Sequence, residues 1–136
     1  MDGGAGTDSL EVEIDLTTTV SPTISNMESL TATFTNSGII SLANEDGSLE
    51  TITNSGSSED AVFSNIQSVD SLNLVISDID DDTLSTTYSF LSSAVSGTSD
   101  SVTLTLSNVD MSDAGGVGTP TITLPGIETI NLVSTG

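Results

Sequence analysis

The chain of 136 residues contains no lysine, arginine, histidine, cysteine or tryptophan, whereas aspartate and glutamate together number 20. Without histidine, no side chain can shuttle protons near neutral pH, and without cysteine or lysine there is no thiolate or amine nucleophile. Without arginine or lysine, no cationic side chain can hold a phosphate or an oxyanion. These absences exclude most enzyme chemistry, and we expect the chain to have no catalytic activity.

The formal net charge of −20 also excludes classes of partner. Nucleic-acid binding depends on basic residues, and an anionic membrane surface repels an acidic protein. No run approaches the roughly 20 apolar residues of a spanning helix, so we expect no membrane insertion. A cation is the natural partner of such a surface. Side chains that offer only oxygen suit hard ions, calcium first, and the lack of histidine and cysteine disfavours zinc, copper and iron–sulfur clusters.

The apolar residues alternate with polar ones, which is the pattern of β-strands. Serine and threonine make up 45 of the 136 residues, and 35% of the residues are hydrophobic, which is enough for a core. Residues 10–16 place Leu10, Val12, Ile14 and Leu16 on one face and three carboxylates on the other. The pattern predicts an all-β domain, with further strands near residues 30–34, 39–42, 49–53, 71–76, 87–91, 101–106, 121–124 and 129–133. Two short segments, 59–67 and 90–95, are the best helix candidates.

Short motifs recur along the chain. An apolar-acid-hydroxyl-apolar-polar-apolar motif begins at Met27, Val69 and Ile127, and a second motif begins at Thr7 and Ser99. The acids of successive motifs are unevenly spaced, with Asp8 and Glu28 separated by 20 residues and Asp100 and Glu128 by 28. Uneven spacing suggests ribs of similar strands joined by loops of variable length. The prediction is an irregular β-solenoid or a β-sandwich with calcium-binding loops, although a serine- and threonine-rich β protein also yields such matches by chance.

A glycine-rich loop opens the chain, and it fits the pattern Gly-Gly-x-Gly-x-Asp-x-apolar-x over residues 3–11. Glycines permit the positive φ angles that point successive carbonyl groups at an ion, and a following carboxylate completes the ligands. The candidate metal ligands here are Asp2, Gly3, Gly4, Gly6 and Asp8. The alternative is a glycine-rich lead-in that is disordered when alone.

This loop resembles the RTX, or hemolysin-type, calcium-binding nonapeptide, and the acidic repeats resemble those of bacterial surface-layer proteins and large RTX adhesins. The resemblance implies stacked calcium-binding loops, export from the bacterium and a calcium-stabilised fold at the cell surface. One intact nonapeptide is present, so we expect residues 1–11 to form an RTX-like lead-in and residues 12–136 to form one β-rich domain with degenerate repeats.

Two further groups of acids are candidate calcium ligands. Asp78, Asp80 and Asp82 alternate within the densest run of charge and can converge on one cation. The run fails as an EF-hand because Thr83 stands where a glycine is required, and a solvated loop is the alternative. Asp110 and Asp113 precede a degenerate glycine motif over residues 115–122, and we expect this motif to be mainly a structural loop.

We expect a structural role, as a calcium-stabilised block that forms a homo-oligomer, lattice or filament outside the cell. The rival interpretation is an adhesin module that binds a glycan or a surface through its loops. Rows of threonine on the strands give a third and weaker possibility, an ice-binding face.

Overall fold

A computed structural model describes residues 1–81, 83–110 and 120–136, and these residues form strands but no helix. Alternating sequences produce these strands because one face of each is buried while the other is solvated. The strands are β1 Ser9–Ile14, β2 Thr19–Val20, β3 Thr23–Ile24, β4 Ser29–Phe34, β5 Ile39–Ser41, β6 Asn44–Glu45, β7 Thr51–Ser55, β8 Ala61–Ile66, β9 Asn73–Ile79, β10 Thr86–Phe90, β11 Ser101–Val109, β12 Ile122–Thr123 and β13 Thr129–Thr135.

The chain passes back and forth between two parallel sheets. A long sheet has the order β1-β4-β7-β9-β11-β13, a second has the order β2-β5-β8-β10-β12, and β3 pairs with β6. Each turn of the chain adds one strand to the long sheet, and a turn takes between 20 residues, from Leu10 to Leu30, and 30 residues, from Leu74 to Leu104. The prediction of an all-β fold is confirmed, and the parallel sheets are compatible with a solenoid-like arrangement.

The core fills the space between the two sheets. Residues such as Leu30, Ile52 and Leu74 lie side by side in neighbouring strands of the long sheet and are almost completely buried. Three fully buried aromatic residues add bulk: the ring centroids of Phe34 and Phe63 are 5.5 Å apart, edge to face, and those of Phe63 and Tyr88 are 5.0 Å apart and stacked. The core therefore runs along the stack from turn to turn.

A column of residues with positive φ angles lies at or near the ends of four strands of the long sheet. Gly56, Asp78, Asn108 and Gly136 follow residues that are aligned across β7, β9, β11 and β13, and their φ angles are 58°, 54°, 51° and 135°. Glycine, asparagine and aspartate are the residues that tolerate this conformation. The Asn108 side-chain amide also donates a hydrogen bond of 2.8 Å to Asp78 Oδ1. The column gives Asp78 a structural role at a corner of the stack.

The two helix predictions are wrong. Residues 61–66 form β8, in which Ala61, Phe63 and Ile66 are buried. Their uneven spacing arises because Asn65 has a φ of 57° and the register with β10 shifts there, so a bulged strand imitates a helical period. Residues 90–95 end β10 and continue as a single turn, with the Ala94 N–H 2.9 Å from the Leu91 carbonyl oxygen.

Candidate functional site

The first part of the glycine-rich loop folds against the next turn of the chain. The Gly3 N–H donates a hydrogen bond of 3.0 Å to the Ser25 carbonyl oxygen. Asp2 Oδ1 accepts hydrogen bonds from the Asn26 side-chain amide at 2.9 Å and from the Gly4 N–H at 3.1 Å, and the Asn26 bond lowers the pKa of Asp2. A side chain at Gly3 would collide with the Asn26 carbonyl oxygen. Close packing thus explains Gly3, while Gly4 and Gly6 have positive φ angles of 88° and 137°.

Asp8 forms hydrogen bonds with Glu28 and Ser29 in the next turn of the chain. The Asp8 N–H donates a hydrogen bond of 2.7 Å to Glu28 Oε2, and the Asp8 carbonyl oxygen accepts from the N–H groups of Glu28 and Ser29 at 3.1 and 3.2 Å. The Asp8 Oδ2 atom is buried and has no hydrogen-bond partner. An orphaned carboxylate oxygen fits the ligand preference of calcium, so Asp8 is the residue of this loop that could hold the ion.

The same arrangement occurs near the other end of the stack. The Asp100 N–H donates a hydrogen bond of 2.9 Å to Glu128 Oε2, and the Asp100 carbonyl oxygen accepts from the N–H groups of Glu128 and Thr129, both at 3.1 Å. Asp100 Oδ2 is again buried and without a partner. The sequence motifs contain both pairs of acids, but neither Glu28 nor the second pair is among the metal ligands that the sequence predicts.

Three of the other predicted ligands line one cavity. Asp78, Asp80 and Asp110 border a space of about 620 Å³ at the ends of β9, β11 and β13, together with Asn108 and Thr135. All three acids are exposed to solvent. Asp82 and Asp113 lie outside the described residues. Within residues 1–81, 83–110 and 120–136, no three or more acids are grouped closely enough to hold a metal ion.

Asp81 has a local structural role. Its Oδ1 atom accepts hydrogen bonds from the Thr83 N–H at 2.8 Å and the Thr83 hydroxyl at 2.6 Å. The hydroxyl bond lowers the pKa of Asp81.

A buried carboxylate, Glu45, closes the turn that follows it. Glu45 Oε1 accepts hydrogen bonds from the N–H groups of Gly47, Ser48 and Leu49 at 2.7, 2.7 and 3.3 Å, and the residue is 8% exposed. Burial raises the pKa of Glu45, and the three N–H groups offset this only in part. No sequence signal distinguishes it from the neighbouring acid, Asp46, since both are polar residues of one turn.

Glu45→Gln should flatten the pH dependence of stability. Because the folded state raises the pKa of Glu45 above its ordinary value of 4.5, the folded protein binds this proton more tightly than the unfolded chain. The contribution of Glu45 to the unfolding free energy therefore grows as pH falls through the raised pKa and is lost as pH rises. Glutamine keeps the accepting oxygen but cannot titrate.

Urea unfolding of the variant between about pH 7 and pH 4.5 should show a smaller change in unfolding free energy than in the unmodified protein. Glu50→Gln is the control. Glu50 is exposed, and its substitution by glutamine removes the same charge as Glu45→Gln. Identical pH profiles for the two variants would mean that burial of Glu45 has no part in the effect.

The last strand leaves apolar residues uncovered. Ile130 and Leu132 lie beside Val102 and Leu104 of β11, which are 2% and 5% exposed, yet Ile130 and Leu132 are 47% and 63% exposed. Val133 is also exposed. Within the part of the chain that the structure describes, strand β13 thus lies at an edge of the long sheet and continues the inward-facing columns of the core.

The opposite edge of the long sheet has an apolar cleft. A cavity of about 440 Å³ opens beside β1, and its apolar lining residues include Leu10, Val12, Ile14, Leu16 and Val20. Glu13 and Asp15 also border it. The two ends of the stack are therefore both apolar, and the β1 end is also acidic.

The aromatic residues are unavailable as a sugar platform. Phe34, Phe63 and Tyr88 are fully buried, and Phe90 packs partly buried against the core. These four are all the aromatic residues of the chain. The adhesin interpretation, in which the loops bind a glycan or a surface, stays a prediction.

Comparison with known proteins gives no relative. No family model matches the chain, and no curated protein or solved structure matches it either. The RTX resemblance therefore stays a prediction. Among the residues that the structure describes, no helix is long and apolar enough to cross a membrane.

Proposed function

We propose that this protein is a structural building block that is stabilised by calcium and assembles end to end outside the cell. The observation that carries the proposal is strand β13, which exposes the apolar residues Ile130, Leu132 and Val133 at an edge of the long sheet, as the described residues form it. Unpaired strand edges with exposed apolar side chains are templates for pairing with another chain.

The geometry of the stack supports pairing between unlike ends. Strands β1 and β13 are the two edges of one parallel sheet, so β1 of a second copy can follow β13 in the same direction. The apolar cleft beside β1 offers the partly buried Val12 and the exposed Leu16 as partners for the exposed residues of β13. A head-to-tail contact of this kind repeats without closing, and it generates filaments or sheets rather than dimers.

The acids set the conditions for assembly. Two surfaces of the same high negative charge repel each other unless cations neutralise the contact, and Glu11 and Glu13 lie on the β1 strand itself. Weak calcium sites with dissociation constants of about 0.1–1 mM are typical of extracellular modules. Calcium at millimolar concentration is therefore proposed both to stabilise the fold and to permit assembly, which fits an extracellular, cell-surface location.

Leu132→Asp should prevent assembly without unfolding the chain. Burial of a leucine side chain contributes about 1.5–3 kcal/mol, so its loss should weaken each contact by roughly tenfold or more. Light scattering in millimolar calcium should rise with concentration for the unmodified protein and stay low for the variant. Circular dichroism should be unchanged, because Leu132 is 63% exposed.

Ser58→Asp is the matched control. Ser58 is exposed in the middle of the stack, and its substitution by aspartate adds the same charge as Leu132→Asp. It should assemble like the unmodified protein. Equal assembly of the two variants would exclude β13 as the contact, and equal loss would mean that added charge alone explains the result.

A further inference from the structure

Three pairs of adjacent strands in the long sheet begin with one pattern of hydrogen bonds. An acid stands directly before each of these strands, and its backbone carbonyl oxygen accepts from the N–H of the acid before the next strand and from the N–H that follows. These distances lie between 2.9 and 3.2 Å. The paired acids are Asp8 with Glu28, Glu28 with Glu50, and Asp100 with Glu128. The acids thus set a common level from which the strands of neighbouring turns start.

The pattern fixes which side chains of the core lie beside each other. The second residue after each acid is apolar, and it pairs with the corresponding residue of the next strand. The three pairs are Leu10 with Leu30, Leu30 with Ile52, and Val102 with Ile130. One alignment of strands therefore recurs near both ends of the stack.

We propose that β1 of a second copy adds to β13 in this same alignment, with its Asp8 beside Glu128. The Glu128 carbonyl oxygen then accepts from the Ser9 N–H and from the Asp8 N–H, which within one chain donates to Glu28 Oε2. Two carboxylates are adjacent at this point, so the contact requires neutralising cations. This inference rests on the assembly part of the proposed function, which names the two ends that meet but not their register.

The alignment covers the most exposed apolar residue of β13. Leu132, which is 63% exposed, lies beside Val12 of the second copy, and Val12 is only partly buried in the single chain. Ile130 lies beside Leu10 of the second copy, as it lies beside Val102 on its other side. Both exposed residues that continue the core columns therefore gain apolar neighbours.

The second sheet supports the same direction of growth. As the described residues form it, its edges are β2 and β12, which belong to the first and last turns of the chain, as β1 and β13 do. One head-to-tail contact therefore brings both sheets of one copy against both sheets of the next.

A shift of β1 by two residues keeps the same side chains facing inward but makes a poorer contact. It sets Leu132 beside Leu10, which is only 8% exposed, and Ile130 beside the carboxylate that precedes β1. Val12 then lies beside Ser134, so its uncovered surface meets a polar side chain. Strands β7 and β9 pair with such a shift, so this register is the alternative that an experiment has to separate.

The outward faces of the two strands bring no acids together. Strand β13 contains only uncharged residues, so Glu11 of the second copy lies beside Asn131, and Glu13 lies beside Val133. Like charges directly opposite each other destabilise strand pairing. Two β1 edges brought together would set acids against acids, so the charges favour contact between unlike ends.

Cysteine cross-linking tests the register because the chain contains no cysteine of its own. Full-length single-cysteine variants are mixed in pairs in millimolar calcium under mild oxidation, with one cysteine in β13 and the other in β1. Paired residues of adjacent strands lie about 4.8 Å apart, within reach of a disulfide, whereas residues shifted by two lie about 8 Å apart and out of reach. The linked dimer should form from Val133→Cys with Glu13→Cys and from Asn131→Cys with Glu11→Cys.

The exchanged mixtures are the matched controls, because each variant then takes part in one linking and one non-linking mixture. Val133→Cys with Glu11→Cys and Asn131→Cys with Glu13→Cys should give several-fold less dimer on a non-reducing gel. More dimer in the exchanged mixtures would show the shifted register and overturn the alignment. Equal yields in all four mixtures, or a dimer formed as readily by Val133→Cys alone, would also overturn it.

Light scattering of the unmodified protein separates failure of the register from failure of the proposed function. Scattering that rises in calcium without selective cross-linking overturns the alignment and leaves assembly intact. No scattering and no cross-linked dimer in any mixture overturns both.

Discussion

Removal of calcium should lower the free energy of unfolding by about 2.7 kcal/mol for each bound ion. A site with a dissociation constant near 0.1 mM in about 10 mM calcium stabilises the folded state by roughly 2.7 kcal/mol. Contributions from several distant sites should add. This loss is comparable to the total stability of a small domain, which is about 5–15 kcal/mol.

Thermal unfolding in millimolar calcium and in chelator, at matched ionic strength, measures this effect. The matched ionic strength matters because salt alone screens the self-repulsion of the chain, with a Debye length of about 3 Å at 1 M. Calcium should act at far lower concentration than sodium. Equal melting temperatures in calcium and chelator would show that the acids are merely solvated and that the folded protein has no calcium site.

Phe63→Ala should destabilise the protein by about 3–5 kcal/mol. Phe63 is fully buried and packs between Phe34 and Tyr88, with centroid distances of 5.5 and 5.0 Å, so its removal leaves a cavity in the middle of the stack. Neighbouring side chains cannot close this cavity easily, since the aligned strands on either side are fixed by their backbone hydrogen bonds.

Urea unfolding in the presence of calcium measures the loss, and Phe63→Leu is the control because it keeps much of the volume and should cost distinctly less. A loss below about 1 kcal/mol for Phe63→Ala would mean that the aromatic stack is not a continuous core.

The strands of the long sheet could be predicted from the sequence because their apolar residues alternate with serine and threonine. The spacings of 20 and 28 residues between paired acids are also real features of the fold, since Asp8 lies beside Glu28 and Asp100 beside Glu128 in adjacent turns. The number of residues between the two acids of a pair therefore equals the number of residues in that turn of the chain. That relation became clear only once the strands were aligned.

Features that depend on neighbouring turns could not be predicted. The buried Asn54 side-chain amide donates to the Thr86 hydroxyl at 2.8 Å, although the two residues lie far apart in sequence. The sequence predicts that Asp78 is a calcium ligand. It gives no sign of the left-handed conformation of Asp78 or of its hydrogen bond with Asn108 in the neighbouring strand. Local sequence carries no information about these contacts.

The exposure of apolar residues in β13 also could not be predicted from the sequence. Strand β13 has the same alternation as the buried strands, and only its position at the sheet edge leaves Leu132 uncovered. Exposure here is a property of the order of strands, which composition and periodicity do not specify.

Sedimentation velocity of the unmodified protein and of Leu132→Asp, each in millimolar calcium and in chelator, tests the central claim most directly. We predict large species for the unmodified protein in calcium alone, and monomers in the other three samples. Assembly of the unmodified protein in chelator at low salt would contradict the role given to the acids, and assembly of Leu132→Asp in calcium would contradict the role given to the exposed end strand.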